Sequence, residues 1–128
     1  MTIQSSKRIE ILKSSWDALG RGDMDSVASA YVEDMIFVLP GQTDILSGKT
    51  SFRSALDTIG EALPTGFEIT DLRYFSGENT GEVVNIVEWK SVKVPNGSQS
   101  AILWKFNESD QITEERWFVD TEQWKAAF

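Results

Sequence analysis

The sequence predicts an α+β domain in which a curved antiparallel sheet wraps onto three N-terminal helices and encloses one small apolar pocket. Three observations carry this expectation. Apolar residues recur at helical spacing through the first half of the chain, then at a spacing of two through most of the second. Pro95-Asn96-Gly97 separates two of the later segments, and Asn-Gly supplies the positive φ angles that hairpin turns demand. The strand segments are also apolar on both faces: Val84, Ile86 and Leu103 lie opposite in phase to Val87, Trp89, Ile102 and Trp104. One such face packs on helices, and the other needs a further cover.

Ile9, Leu12, Trp16 and Leu19 line one face of a first helix, with Ser5 or Ser6 as its cap and Gly20 and Gly22 bracketing its end. Asp23 then caps a short second helix carrying Met24, Val27, Ala28 and Tyr31 on one face. Residues 35–39 form a short apolar strand stopped by Pro40-Gly41. A loop through Gly48 leads to a third helix with Phe52, Ala55, Leu56, Ile59 and Leu63 at helical spacing, ended by Pro64 and Gly66. Four strands follow as a meander over 67–75, 83–94, 98–107 and 111–120, and 121–127 form a last helical turn. No repeat, low-complexity tract or linker interrupts the pattern, so residues 1–128 are expected to be one domain.

Composition narrows the chemistry. The chain has no cysteine and no histidine, which excludes disulfides, thiolate nucleophiles and every histidine-based triad or metal site. Acid–base work must come from Asp, Glu, Lys or Tyr, and no cofactor or metal is expected. A net charge of −8 with scattered basic residues argues against nucleic-acid binding. The N-terminal residues turn amphipathic instead of continuing into an apolar signal core, and no segment approaches the roughly 20 apolar residues of a membrane span. A cytoplasmic protein without a membrane partner is expected. The second apolar sheet face is most simply covered by another copy of the chain, giving a homodimer.

Several phrases, in this order, resemble the nuclear transport factor 2-like superfamily, particularly its SnoaL-like and ketosteroid-isomerase-related members. They are Gly22-Asp23-Met24-Asp25, Tyr31-Val32-Glu33-Asp34, Leu46-Ser47-Gly48-Lys49, and the run from Ile112 to Asp120. The resemblance spans nearly the whole chain. It implies a cone-shaped, cystatin-like fold with a pocket between the concave sheet and the helices, and dimerisation through the convex face. It implies no single activity, because the superfamily holds isomerases, cyclases, epoxide hydrolases, dehydratases and members without chemistry. The isomerase positions fall here on Leu39 for the general-base aspartate, on Ser15 beside Trp16 for the oxyanion-hole tyrosine, and on Ile102 for the oxyanion-hole aspartate. The cyclase-type aspartate of the last strand falls on Trp117. Those roles are empty in this chain.

The resemblance also phases the strands, turning Phe37, Leu39, Asn85, Val87, Trp89, Ile102, Trp104, Glu115 and Trp117 toward the pocket. With Trp16 and Tyr31 from the helices, these are the expected ligand-binding walls, and tryptophans there favour a flat or cyclic apolar small molecule. The same tryptophans serve equally well as core. Glu115 is the candidate catalytic residue, because a carboxylate desolvated between tryptophans acquires a raised pKa and can shuttle a proton near neutrality. Its ordinary alternative is an ion pair with Arg116, Arg53 or Lys105. Asn85 is either a ligand donor or a satisfied structural amide, and Tyr31 either a pocket donor or core with a wet tip.

Overall fold

The computed structural model describes residues 2–41 and 44–128. Met1, Gln42 and Thr43 lie outside the described residues, and with them part of the loop expected between Pro40 and Gly48. Thr2, not Ser5 or Ser6, caps the first helix, α1 (Ile3–Gly20): its hydroxyl accepts the Ser5 amide at 3.0 Å and satisfies a donor that a helix start leaves open. Gly22 turns the chain at φ 76°, a conformation only glycine adopts without strain. Asp23 then caps α2 (Met24–Ser29), as its side chain predicts, by accepting the Ser26 amide at 3.2 Å.

Tyr31 is not on that helix. α2 stops at Ser29, the Ala30 carbonyl accepts from the Ile112 amide at 2.9 Å, and Tyr31 opens strand β1 (Tyr31–Val38). An edge strand that the sequence reading took for loop, β2 (Ile45–Ser47), pairs antiparallel with β1. The third helix, α3 (Lys49–Leu56), is shorter than expected. Its end tightens into three-residue hydrogen bonds and a separate 3-10 turn over Ile59–Glu61, centred on the poor helix former Gly60.

The meander follows as β3 (Glu68–Ser76), β4 (Glu82–Lys90), β5 (Ser98–Phe106) and β6 (Ile112–Val119), and the Asp120 side chain caps α4 (Thr121–Ala127). β4 ends four residues before the expected position. Ser91 and Val94 exchange backbone bonds in a local turn, and the Val92 amide donates to the Thr65 carbonyl at 3.1 Å. The loop to β5 therefore contains more than the Asn-Gly pair, although Gly97 does adopt φ 86°.

The strands form one curved, unclosed sheet in the order β2-β1-β6-β5-β4-β3. It is mixed, which corrects the all-antiparallel expectation: β1 and β6 are parallel neighbours. The reason is topological. After the edge strand β2 the chain crosses by α3 to the far edge of the sheet, where β3, β4 and β5 meander back, so β6 lands beside β1 in the same direction. Irregular register between Tyr31 and Ile36, Ile69 and Asp71, and Lys105 and Phe106 bends the strands locally.

Cross-strand register decides which side chains share the concave face. One row runs Leu46, Phe37, Glu115, Trp104 and Val83 across five strands. The next runs Trp117, Ile102, Asn85 and Tyr74. The helices cover these rows: Leu12 of α1, Val27 of α2, and Phe52 and Leu56 of α3 are buried with Tyr31, Met35 and Trp104 in one core.

Candidate functional site

Where the two rows meet the helices, they leave a recess of about 70 Å³. Its walls include Trp16 and Leu19 of α1, Val27 of α2, Tyr31 and Phe37 of β1, Phe52 and Leu56 of α3, Trp104 of β5, and Glu115 and Trp117 of β6. A wider apolar cavity of about 380 Å³ adjoins it, sharing Phe37, Phe52, Leu56, Ile59 and Trp117 as walls. Leu39, Pro40, Leu46, Ala55, Leu63 and Trp124 complete most of the outer lining. The recess exceeds the space one water needs, and the outer cavity reaches the size of small-ligand pockets.

Among the described residues Glu115 is the only carboxylate in the walls of the recess, and it is 6% exposed. Its Oε1 accepts from the Tyr31 hydroxyl at 2.5 Å, and its Oε2 accepts from the Trp117 indole N–H at 2.7 Å. No ion pair with a described cation reaches it. Arg53 bonds instead to Asp25 and Asp57, and Lys105 and Arg116 both pair with Glu114 on the opposite face of β6. Burial pushes the Glu115 pKa up from 4.5 to about 7, even though both hydrogen bonds favour the charged form. Burial first, and the neighbouring carboxylate second, raise Tyr31 well above the usual phenol value, so it stays protonated near neutrality.

The donors to Glu115 are themselves held. Trp117 meets Trp16 edge-on, with ring centroids 6.4 Å apart. Trp16 in turn donates its indole N–H to the Asn85 Oδ1 at 2.8 Å, while the Asn85 amide nitrogen donates to the Arg73 carbonyl at 3.0 Å. The Tyr31 ring packs on Phe52 at 4.6 Å, and Phe52 on Phe37 at 5.7 Å. Glu115 is thus a fixed carboxyl group with a raised pKa in an apolar recess. Such a group can give or take one proton near pH 7.

The structure brings Trp16, Tyr31, Phe37, Trp104, Glu115 and Trp117 together at the recess, with Leu39 at the outer cavity. Four of the expected wall residues line neither space, and the first, Val87, is fully buried in the core. Asn85 is fully buried with both polar ends engaged inside the protein. Ile102 is fully buried in the core. Trp89 packs on Phe67 and Trp124, with its N–H on the Ser100 hydroxyl at 2.9 Å. Trp89 shares the concave face but lies further along β4, so of the four tryptophans expected as walls, Trp16, Trp104 and Trp117 meet at the recess and Trp89 does not. Sequence reasoning missed Leu19, Phe52, Leu56 and Ile59 as walls, because their helical spacing reads as core. Trp124 had no periodic signal at all.

Among the described residues, no three acidic side chains gather as a metal-binding group, and no helix is long and apolar enough to cross a membrane.

No family model matches the chain, and no curated protein matches it in sequence. Solved structures do match in fold. A candidate polyketide cyclase from Xanthomonas campestris pv. campestris superposes with a TM-score of 0.77 at 15% identity, covering 97% of this chain and 98% of its own. SalBIII, described as an epoxide hydrolase/cyclase-like enzyme in pyran ring formation in the polyether salinomycin, gives 0.72 at 19% identity over 94% and 96% of the chains. An NTF2-like protein from Burkholderia xenovorans LB400 gives 0.71 at 16% identity over 96% of each. The chain has the NTF2-like α+β cone fold.

Proposed function

We propose that this chain, read as one SnoaL-like domain, binds a small apolar or aromatic metabolite in the outer cavity and recess, and moves a proton on it with Glu115. One observation carries this reading: a buried carboxylate held by two neutral donors, with no described cation paired to it, in a recess that shares walls with a ligand-sized apolar cavity. Near pH 7 Glu115 takes a proton from one atom of the ligand and returns it to another. Tyr31 and Trp117 hold the carboxyl group in place throughout. Isomerisation, cyclisation and dehydration all fit a single acid–base group of this kind. The cyclase descriptions of two fold neighbours support the class without naming a substrate.

A second reading, a carrier or sensor without chemistry, draws on the larger cavity, where Leu39, Pro40, Leu46, Ala55, Leu63 and Trp124 are walls that the Glu115 recess does not share. The two readings separate in one experiment. Tryptophan fluorescence of the protein is followed against a library of small apolar metabolites, and any ligand found is then assayed for turnover with wild type and Glu115→Gln. The proton-transfer reading expects turnover that the variant abolishes while binding survives. Binding with no turnover in wild type leaves the carrier reading, and unchanged turnover in the variant removes Glu115 from the mechanism.

We also propose a homodimer through the convex face. Phe75, Val84 and Leu103 form one outward row there, and Ile86, Ala101 and Phe118 lie in the next. Phe75 and Phe118 are exposed on a single chain.

A further inference from the structure

A wall residue of the recess carries a buried polar atom that the proton-transfer reading does not use. Trp16, Trp89 and Trp117 each donate their indole N–H to a protein oxygen at 2.7–2.9 Å. Trp104 does not. It is 3% exposed, and its Nε1 is the one buried side-chain nitrogen or oxygen among the described residues with no hydrogen-bond partner in the protein. Leaving a buried donor unmade is costly, so such atoms point to a partner outside the chain.

Its position limits that partner. Trp104 is the direct cross-strand partner of Glu115, and both side chains line the recess. Indole N–H is a donor only, so its partner must be an acceptor. Among the described residues no lysine or arginine lines either space, and Glu115 and Asp44 lie in the walls, so an anionic ligand would be repelled without compensation. The recess accommodates a small group, while the apolar bulk of a ligand has room only in the outer cavity.

We propose that the Trp104 indole N–H binds a neutral oxygen acceptor, a carbonyl or cyclic ether, at the recess end of an otherwise apolar ligand whose body occupies the outer cavity. This inference rests on the pocket reading above and names the ligand class it takes. The oxygen then sits between Trp104 on β5 and Glu115 on β6, so the donor that anchors it and the acid that acts beside it come from adjacent strands.

The test uses two isosteric probes: 2-acetylnaphthalene, and 2-isopropenylnaphthalene, in which CH2 replaces the carbonyl oxygen. Dissociation constants for both are measured with wild type and with Trp104→Phe, which keeps an aromatic ring and removes the N–H. The ketone-over-alkene preference should fall by about tenfold in the variant, the scale of one neutral hydrogen bond to a buried donor. In nitrogen-labelled wild type, the ketone and not the alkene should also move the Trp104 indole proton resonance downfield, so the idea is tested even where the variant fails to fold. Equal preference in both proteins with an unmoved resonance refutes the role of Trp104 and leaves the pocket standing. No binding of either probe to wild type overturns the pocket reading and this inference with it.

Discussion

Replacing Glu115 by Gln should change how stability depends on pH, and the size of the change follows from the burial of one carboxyl group. The folded pKa, about 7, lies above the ordinary value of 4.5, so the native state holds this proton more tightly than the unfolded chain does. The sign follows directly. The contribution is fully present below about pH 4.5, shrinks as pH rises, and is lost above about pH 7. At about 1.4 kcal/mol per pKa unit, ionising Glu115 in the fold costs about 3 kcal/mol at the alkaline end. Between pH 5 and pH 8.5 the wild type should lose about 2 to 3 kcal/mol from this group, a shift of about 1 to 2 M in the urea midpoint. Asp23, Asp110 and Glu114 have lowered pKa values, so their contributions are complete before this window opens, and Tyr31 titrates far above it. Gln fits the site: its carbonyl accepts from Trp117 and its amide donates to the Tyr31 oxygen. Urea unfolding of both proteins at the two pH values checks the argument. Wild type should weaken on going alkaline while Glu115→Gln stays nearly flat, and parallel curves would refute a raised Glu115.

Three further outcomes follow from the same geometry. Tyr31→Phe removes a donor that favours the carboxylate, so the Glu115 midpoint should move above 7 and stability at pH 8.5 should fall by about 1 kcal/mol, read in the same unfolding series. Trp16→Phe strands the buried Asn85 oxygen and should cost about 1 to 3 kcal/mol at any pH; a loss under about 0.5 kcal/mol would mean the Trp16–Asn85 bond contributes little. Ile86→Asp places a charge in the middle of the convex apolar face and should turn a dimer into a monomer in sedimentation velocity, with far-ultraviolet circular dichroism unchanged.

The fold class was legible because the change from helical to alternating periodicity is strong in this chain, and Asp23 and Gly97 behave as their chemistry demands. Glu115 was legible as an inward group through the family resemblance that phases β6, which puts it on one face with Trp117, two residues apart. Position along a strand was not legible. Alternation tells which face Trp89 and Asn85 occupy but not which helix or turn covers them, and both are covered by core. Tyr31 fits helical spacing from Val27 and Ala28 as well as it fits the first position of β1, and only its pairing partner Ile112, 81 residues later, decides between them. The parallel pairing of β1 with β6 and the wall supplied by Trp124 are likewise long-range facts. The free indole of Trp104 is legible only once every neighbour's acceptor is in place.

The account stands on Glu115 being a titrating acid inside the recess, and side-chain carboxyl resonances in carbon-labelled protein report that directly. The Glu115 signal, assigned by its absence in Glu115→Gln, should titrate with a midpoint near 7 and shift when a neutral ketone is added. A midpoint in the ordinary carboxylate range, indifferent to added ligand, would contradict the central claim.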